Sequence, residues 1–203
     1  MSKLVYLDTE TNALAPGQIG QLSIIIEEDG TIRAKNYFMK IDYMTDGAME
    51  VTHRDKEFYD KVSNGKTFKD YADDIENELS DATLIAHNLK FDENFISSEF
   101  WRINKVFKPY ERFCTMNYFA PIMNIPGGKY GKPKNPKLSE LVEYFNIDEK
   151  KVLSYAKQLF NTGDELTYHD AMYDTTSMFI AVHIYKERLE QSNNDWTSKF
   201  CKE

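Results

Sequence analysis

The stretch Leu4-Val5-Tyr6-Leu7-Asp8-Thr9-Glu10-Thr11-Asn12 runs mostly apolar residues straight into two carboxylates spaced two apart. In a β-strand alternate residues share a face, so Asp8 and Glu10 project side by side, with Leu4 and Tyr6 behind them. Val5 and Leu7 make the opposite face equally apolar, which marks a central strand buried on both sides. Two carboxylates this close repel and shift each other's pKa unless a cation lies between them. Two readings are open from this stretch alone. Either the pair is an oxygen-ligand site for Mg²⁺ or Mn²⁺, or the strand ends in solvent with two exposed acids.

A chain of 203 residues, 41% hydrophobic and 14% aromatic, has material for one substantial α/β domain. That domain is expected over residues 1–190, followed by a C-terminal tail over 191–203. Cys114 and Cys201 stand far apart and outside any Cys-x-x-Cys spacing, so neither a zinc site nor a disulfide framework is expected. No apolar run reaches membrane-spanning length, and a soluble, cytoplasmic protein with no membrane partner is expected. The net charge of −8 excludes a general nucleic-acid coat, but not an enzyme gripping a few phosphates through a local basic patch and bound metal.

Along the chain, Ile19 to Glu27 reads as a second strand, Asp29-Gly30 as a hairpin turn and Ile32 to Ile41 as a third strand. Two antiparallel strands added to the first give a mixed sheet. Asp42 to His53 is polar, contains Gly47 and reads as a loop. Thr67 to Leu79 carries the stripe of a surface helix with Thr67 as N-cap, Ala82 to Ala86 is a short strand, and His87-Asn88-Leu89 turns into a helix over 91–104. On that helix Asp92, Ile96, Phe100 and Ile103 share one face, so a carboxylate heads an apolar stripe. It must sit at the rim, pair, or meet a cation. Glu111 to Met116 reads as a strand, and 138–145 and 150–160 as short helices. The last helix starts near His169 and runs to about Gln191. Its buried stripe (Ala171, Thr175, Met178, Val182, Tyr185, Leu189) is again interrupted near the start by a carboxylate, Asp174. Three separate anomalies of one kind point to a common cation, and His169, in the turn before the helix, can swing over the same place.

Between these helices Ile125 to Lys137 holds three Pro, three Gly, four Lys and no acid, a composition that forbids regular structure. It reads either as a flexible solvent loop or as a phosphate-contacting loop with Tyr130 available to stack on a base. The tail after Gln191 either is loosely ordered or docks on a partner.

Asp8-Thr9-Glu10-Thr11-Asn12, Ala86-His87-Asn88-Leu89-Lys90-Phe91-Asp92-Glu93-Asn94-Phe95 and His169-Asp170-Ala171-Met172-Tyr173-Asp174 occur in this order, and together they resemble the three motifs of the DnaQ-like, DEDDh 3′→5′ exonucleases. That family includes polymerase proofreading subunits, RNase T and oligoribonuclease. Thr67-Phe68, Cys114-Thr115-Met116 and Lys137-Leu138-Ser139-Glu140-Leu141 extend the resemblance over residues 4 to about 190. It implies a ribonuclease H-like α/β fold, a central mixed five-stranded sheet flanked by helices. Asp170 occupies the position where the Tyr subfamily places its tyrosine, so the His variant is matched. Two departures stand out: Asn12-Ala13 replaces the usual Thr-Gly after Glu-Thr, and Met49-Glu50-Val51-Thr52 lies where many relatives have His-Gly-Ile-Thr.

Carried over, the resemblance implies two-metal hydrolysis of the last phosphodiester of single-stranded DNA or RNA 3′ ends, DNA favoured, releasing nucleoside 5′-monophosphates. Asp8 would bridge two Mg²⁺ or Mn²⁺ ions, Glu10 and Asp174 would complete one site, Asp92 would serve the other, and His169 would be the general base. Substrate contacts are expected from Thr9 and Thr11 in the first motif. Leu14 is a wedge against the terminal base or an apolar anchor, and Asn88 orients the nucleotide or stabilises its turn. Lys129, Tyr130 and Lys132 in the basic loop complete the set. The rival readings are an RNA-trimming exoribonuclease and a non-catalytic nucleic-acid- or polymerase-binding module, and the partner beyond substrate is a DNA polymerase or a second copy.

Overall fold

A computed structural model describes residues 3–14, 17–163, 166 and 169–191. Five strands form one sheet in the order β3-β2-β1-β4-β5. They are β1 (Lys3–Thr11), β2 (Ile19–Glu28), β3 (Thr31–Phe38), β4 (Ala82–Ala86) and β5 (Glu111–Cys114). β1 pairs antiparallel with β2 and parallel with β4, so the sheet is mixed and the acid-bearing strand is at its centre. The helices are α1 (Asp46–Thr52), α2 (Lys56–Val62), α3 (Phe68–Leu79), α4 (Leu89–Arg102), α5 (Thr115–Met123), α6 (Leu138–Tyr144), α7 (Glu149–Phe160) and α8 (Ala171–Gln191).

The alternation along β1 sorts the two layers. Val5 and Leu7 face a core shared with Ile75 of α3 and Ile96 and Phe100 of α4. Leu4 and Tyr6 face a second core with Leu141 of α6 and Met178, Phe179 and Val182 of α8. Asp8 and Glu10 continue the second face and Thr9 the first, so the end of β1 reaches both layers. Because β1, β4 and β5 run parallel, their C-terminal ends lie on one edge, the usual position of ligand sites in open α/β sheets.

The β1–β2 register passes from Glu10↔Gln21 to Thr11↔Ile19, leaving Gly20 as the extra residue of a bulge. A Cβ at Gly20 would meet the Tyr59 ring of α2 at 2.6 Å, so only glycine lets that fully buried ring reach the sheet.

Several expected elements are revised. The loop expected over Asp42 to His53 contains α1, started by the Thr45 hydroxyl, which accepts from the Ala48 amide. Only Ala48 and Thr52 of α1 are buried, a stripe too short to register as periodicity. The helix expected over 91–104 starts two residues earlier, at Leu89, and ends at Arg102. The third strand ends at Phe38 rather than Ile41, and β5 ends at Cys114 rather than Met116. Its continuation is α5, which tolerates Pro121 in its interior. α2, capped by Asp55, has no counterpart in the sequence reading, and the basic loop holds one 3₁₀ turn at Lys129–Gly131. The Thr67 N-cap stands, with Asp70 accepting from the Thr67 amide and hydroxyl. The tail expected over 191–203 lies, after Gln191, outside the described residues. Among the described residues no helix is long and apolar enough to cross a membrane.

Candidate active site

The carboxylates of Asp8 and Glu10 at the end of β1 meet that of Asp174, one turn into α8. One oxygen of each lies within 4.8 Å of the others. This donor set is all oxygen and anionic, which suits a hard divalent cation and not a thiophilic one. Burial is the largest cause of the raised pKa of Asp8, and the charges of Asp92, Asp174 and Glu10 push the same way. Glu10 is raised by burial and by Asp174, with the Arg54 guanidinium acting in the opposite direction. Burial also moves Asp92 and Asp174 up to about 7, with Asp170 adding to the effect on Asp174. Such a cluster is electrostatically unsatisfied without a counter-cation.

Asp92 is held differently. Only 2% exposed, its Oδ1 accepts from the Thr9 amide at 3.1 Å and the Thr9 hydroxyl at 2.8 Å. Thr9 points to the α4 layer while Asp8 and Glu10 point to the α8 layer. The end of β1 thus gathers four acids from both layers: its own Asp8 and Glu10, Asp174 of α8 and, through Thr9, Asp92 of α4. Thr9 therefore acts on Asp92; the neighbouring Thr11 hydroxyl donates to the Ala13 carbonyl at 2.9 Å and shapes its own loop.

His169 sits before α8 with φ 61°, in the left-handed region and outside the helix proper, as its spacing from Asp174 requires. Its ring is exposed at the mouth of the cleft, and its main-chain amide hydrogen-bonds the Asp174 carboxylate. Partial burial, then His53, lowers its pKa below the ordinary 6.5. The next residue, Asp170, is a structural pivot. Its Oδ1 accepts from the Met172 amide at 2.9 Å and from Gln21 Nε2 at 3.2 Å, and its Oδ2 from Arg54. Arg54 also donates to Gln21 Oε1 at 2.6 Å and lies over the Phe58 ring at 4.6 Å. The segment between α1 and α2 thereby fixes the start of α8.

Above the acids is a cleft of about 170 Å³, walled by Leu14, Ala48, Val51, His87 and Phe91 as well as His169. Leu14 is 75% exposed. Its loop is anchored by Asn12, whose Oδ1 accepts from the Gln18 amide at 2.7 Å while Nδ2 donates to the Tyr43 carbonyl at 3.0 Å. Buried Asn12 thus has a structural function that the Thr-Gly pattern would not supply. Asn88 occupies a left-handed position at the start of α4 with φ 75° and makes no side-chain cap bond; it is exposed and does not line the cleft. Lys129, Tyr130 and Lys132 are likewise exposed and away from the cleft wall. The wall residues Ala48, Val51 and Phe91 are additions to the sequence reading. Phe91 was legible within the second motif, whereas Ala48 and Val51 belong to the helix read as loop.

The profile of the RNase T exonuclease family matches residues 5–182. The chain is 28% identical over 123 residues to the DNA polymerase III subunit epsilon of Buchnera aphidicola subsp. Schizaphis graminum, spanning 52% of that protein and 56% of this one. It is 35% identical over 80 residues to the 3′-5′ exonuclease DinG of Staphylococcus haemolyticus, 39% of this chain and 8% of that one. Among solved structures, E. coli Exonuclease I in complex with a dT13 oligonucleotide superposes with a TM-score of 0.67 at 16% identity, over 94% of this chain and 42% of the other. The chain therefore spans about half the length, or less, of the proteins it matches.

Proposed function

The chain belongs to the RNase T family of DnaQ-like exonucleases, and from that membership we propose that it is a divalent-metal-dependent 3′→5′ exonuclease. Its proposed substrate is single-stranded nucleic acid, DNA in preference to RNA, trimmed to nucleoside 5′-monophosphates. The observation that carries this reading is the convergence of Asp8, Glu10 and Asp174 beside an exposed histidine of lowered pKa. The DNA preference is supported by the oligodeoxynucleotide held by the Exonuclease I neighbour.

Asp8, Glu10 and Asp174 would hold one Mg²⁺ or Mn²⁺, and Asp8 with Asp92 a second. Bound there, such ions supply acidification of the attacking water and neutralisation of charge on the leaving 3′-oxygen. His169, neutral at pH 7, accepts the proton of that water as its oxygen bonds to the terminal phosphorus and the P–O3′ bond breaks. Thr9 keeps Asp92 aimed at the site through its two donors. Leu14 and Phe91 flank the terminal nucleoside, and Tyr130 with Lys129 and Lys132 meets the strand further out. A DNA polymerase is the protein partner to test first, on the likeness to a polymerase subunit, and a second copy of the chain is the alternative.

The test uses 5′-labelled single-stranded DNA and RNA of one sequence, each with Mg²⁺ or Mn²⁺, beside EDTA and Asp174→Ala controls. A metal-dependent ladder shortening from the 3′ end, absent in both controls and faster on DNA, is the expected result. Faster shortening of RNA would make the protein an exoribonuclease. No cleavage of either strand by folded, metal-loaded protein would overturn the enzymatic reading in favour of a binding module.

A further inference from the structure

The Tyr59 side chain is fully buried, and its hydroxyl makes no hydrogen bond among the described residues. Burying a hydroxyl unmet costs free energy that phenylalanine in the same place would avoid. The chain nevertheless gives up a side chain at Gly20 to admit this ring: the hydroxyl-bearing carbon Cζ lies 2.8 Å from where a Cβ would stand. Gly20 is the extra residue between Gln21, which pairs with Glu10, and Ile19, which pairs with Thr11. The polar end of the ring is therefore packed on β2 across from the Glu10 step of β1.

The charges around this hydroxyl are held in place. Arg54 precedes α2, the helix that carries Tyr59. Its guanidinium lies over the Phe58 ring at 4.6 Å, donates to Gln21 Oε1 at 2.6 Å and to Asp170, and faces the phenol oxygen. A guanidinium has only donors, so it leaves the hydroxyl proton without an acceptor. Burial and then the Glu10 charge raise the Tyr59 pKa well above its ordinary 10, so that proton stays on through neutral pH. Glu10 has the complementary deficit. Thr9 donates to Asp92 and the His169 amide to Asp174, whereas the Glu10 carboxylate accepts no hydrogen bond among the described residues. A carboxylate offers two oxygens; one of these stands in the cluster with Asp8 and Asp174, and the second is left for a donor. A buried donor without an acceptor thus neighbours an acceptor without a donor.

Resting on the metal-centre reading of the acids, we propose that Tyr59 is a positioning residue for the bound cation. Its hydroxyl donates to the Glu10 oxygen turned away from the ion and holds the other toward Asp8 and Asp174. The contact closes by rotation within the Glu10 side chain, leaving the backbone of β1 in place. Hydrogen-bond partners behind metal ligands fix ligand orientation, and losing one costs about 10–100-fold in metal affinity. Arg54 is not a ligand here; it orients the phenol and, through Asp170, links it to the start of α8.

Tyr59→Phe removes the hydroxyl and leaves the ring against Gly20. Mn²⁺ binding in the absence of nucleic acid is titrated through the paramagnetic resonance signal of the free ion, on wild type, Tyr59→Phe, Glu10→Ala and the double variant, beside metal-free melts of each. Tyr59→Phe is expected to raise the Kd for Mn²⁺ by about tenfold. Its metal-free melting temperature should stay level or rise, because an unmet hydroxyl has gone. In the Glu10→Ala background the same substitution should change the Kd by less than about twofold. An unchanged Kd in folded Tyr59→Phe, or an equal rise with and without Glu10, would overturn the assignment while leaving the exonuclease reading intact. Wild-type protein that binds no Mn²⁺ would overturn the metal centre as well.

Discussion

Replacing Asp174 by Asn is expected to stabilise the metal-free protein while removing its response to metal. Burial, with the Asp170 charge adding to it, holds the Asp174 carboxyl at about 7 instead of 3.8, so folding costs free energy whenever that group must ionise. For a group whose pKa is raised on folding, stability is full below the unfolded value and is lost as pH rises through the folded one. At pH 8 the loss amounts to about three pH units at about 1.4 kcal/mol each, or about 4 kcal/mol, and solvent entering the cleft lowers it to about 2–4 kcal/mol. At pH 4.5 the same two pKa values leave only about 1 kcal/mol. Asparagine keeps the shape, carries no charge, and can donate to the carboxylates of Asp8 and Glu10. For a chain of this size, with about 2–4 °C per kcal/mol, Asp174→Asn in EDTA should melt about 5–12 °C above wild type at pH 8 and within a few degrees of it at pH 4.5. Adding Mg²⁺ or Mn²⁺ at pH 8 should raise the wild-type melting temperature by mass action and the variant's much less. Thermal melts across pH, with and without metal, measure all four quantities. A variant less stable than wild type in EDTA at pH 8, or a difference independent of pH, would refute an uncompensated carboxylate cluster.

Three further outcomes follow from other contacts. His169→Asn should lower kcat by about 10²–10⁴. Because burial lowers the wild-type pKa, the acid limb of the pH–rate profile at saturating metal, which keeps the carboxylates ionised, should fall below 6.5 and vanish in the variant; a limb well above that value would assign the base elsewhere. Thr9→Val removes the 2.8 Å donor to Asp92 and should cost about 1–3 kcal/mol. With less support for the ionised form, the Asp92 pKa rises, so half-maximal activity at pH 7 should need more Mg²⁺ or Mn²⁺ than in wild type and the gap should close at higher pH, read from metal titrations of the rate. Gly20→Ala drives a Cβ to 2.6 Å from the Tyr59 ring and should cost about 1–3 kcal/mol in urea denaturation. Adding Tyr59→Ala should make the double variant more stable than the sum of the single losses implies.

How far the sequence was legible depended on the range of the interactions involved. β4 could be read to the residue, because five consecutive side chains, all apolar but Thr83, are buried on both faces and the run is too short for a helix. α1 could not, because its two buried residues leave no stripe and Gly47 lowers its propensity. What holds it is a cap and tertiary contact. The carboxylates stood out because each interrupts an apolar pattern that is local in sequence. The partners that set their geometry were invisible for the opposite reason: Thr9 and Asp92 are 83 positions apart, and Arg54 and Asp170 are 116 apart.

The strand–helix geometry explains why the three anomalies meet. A central strand buried on both faces must send odd and even residues into different layers, so a carboxylate on α4 and one on α8 can approach the same point only where that strand ends. Asp92 stands at the first turn of α4 and Asp174 at the first turn of α8, and both helices begin at the edge where β1 finishes. Moving either acid one turn along its helix would carry it about 5.4 Å into a hydrophobic core, with no cation within reach. Their positions early in the two helices are therefore what the chemistry demands of this topology, and the apolar stripe behind each is what holds it there.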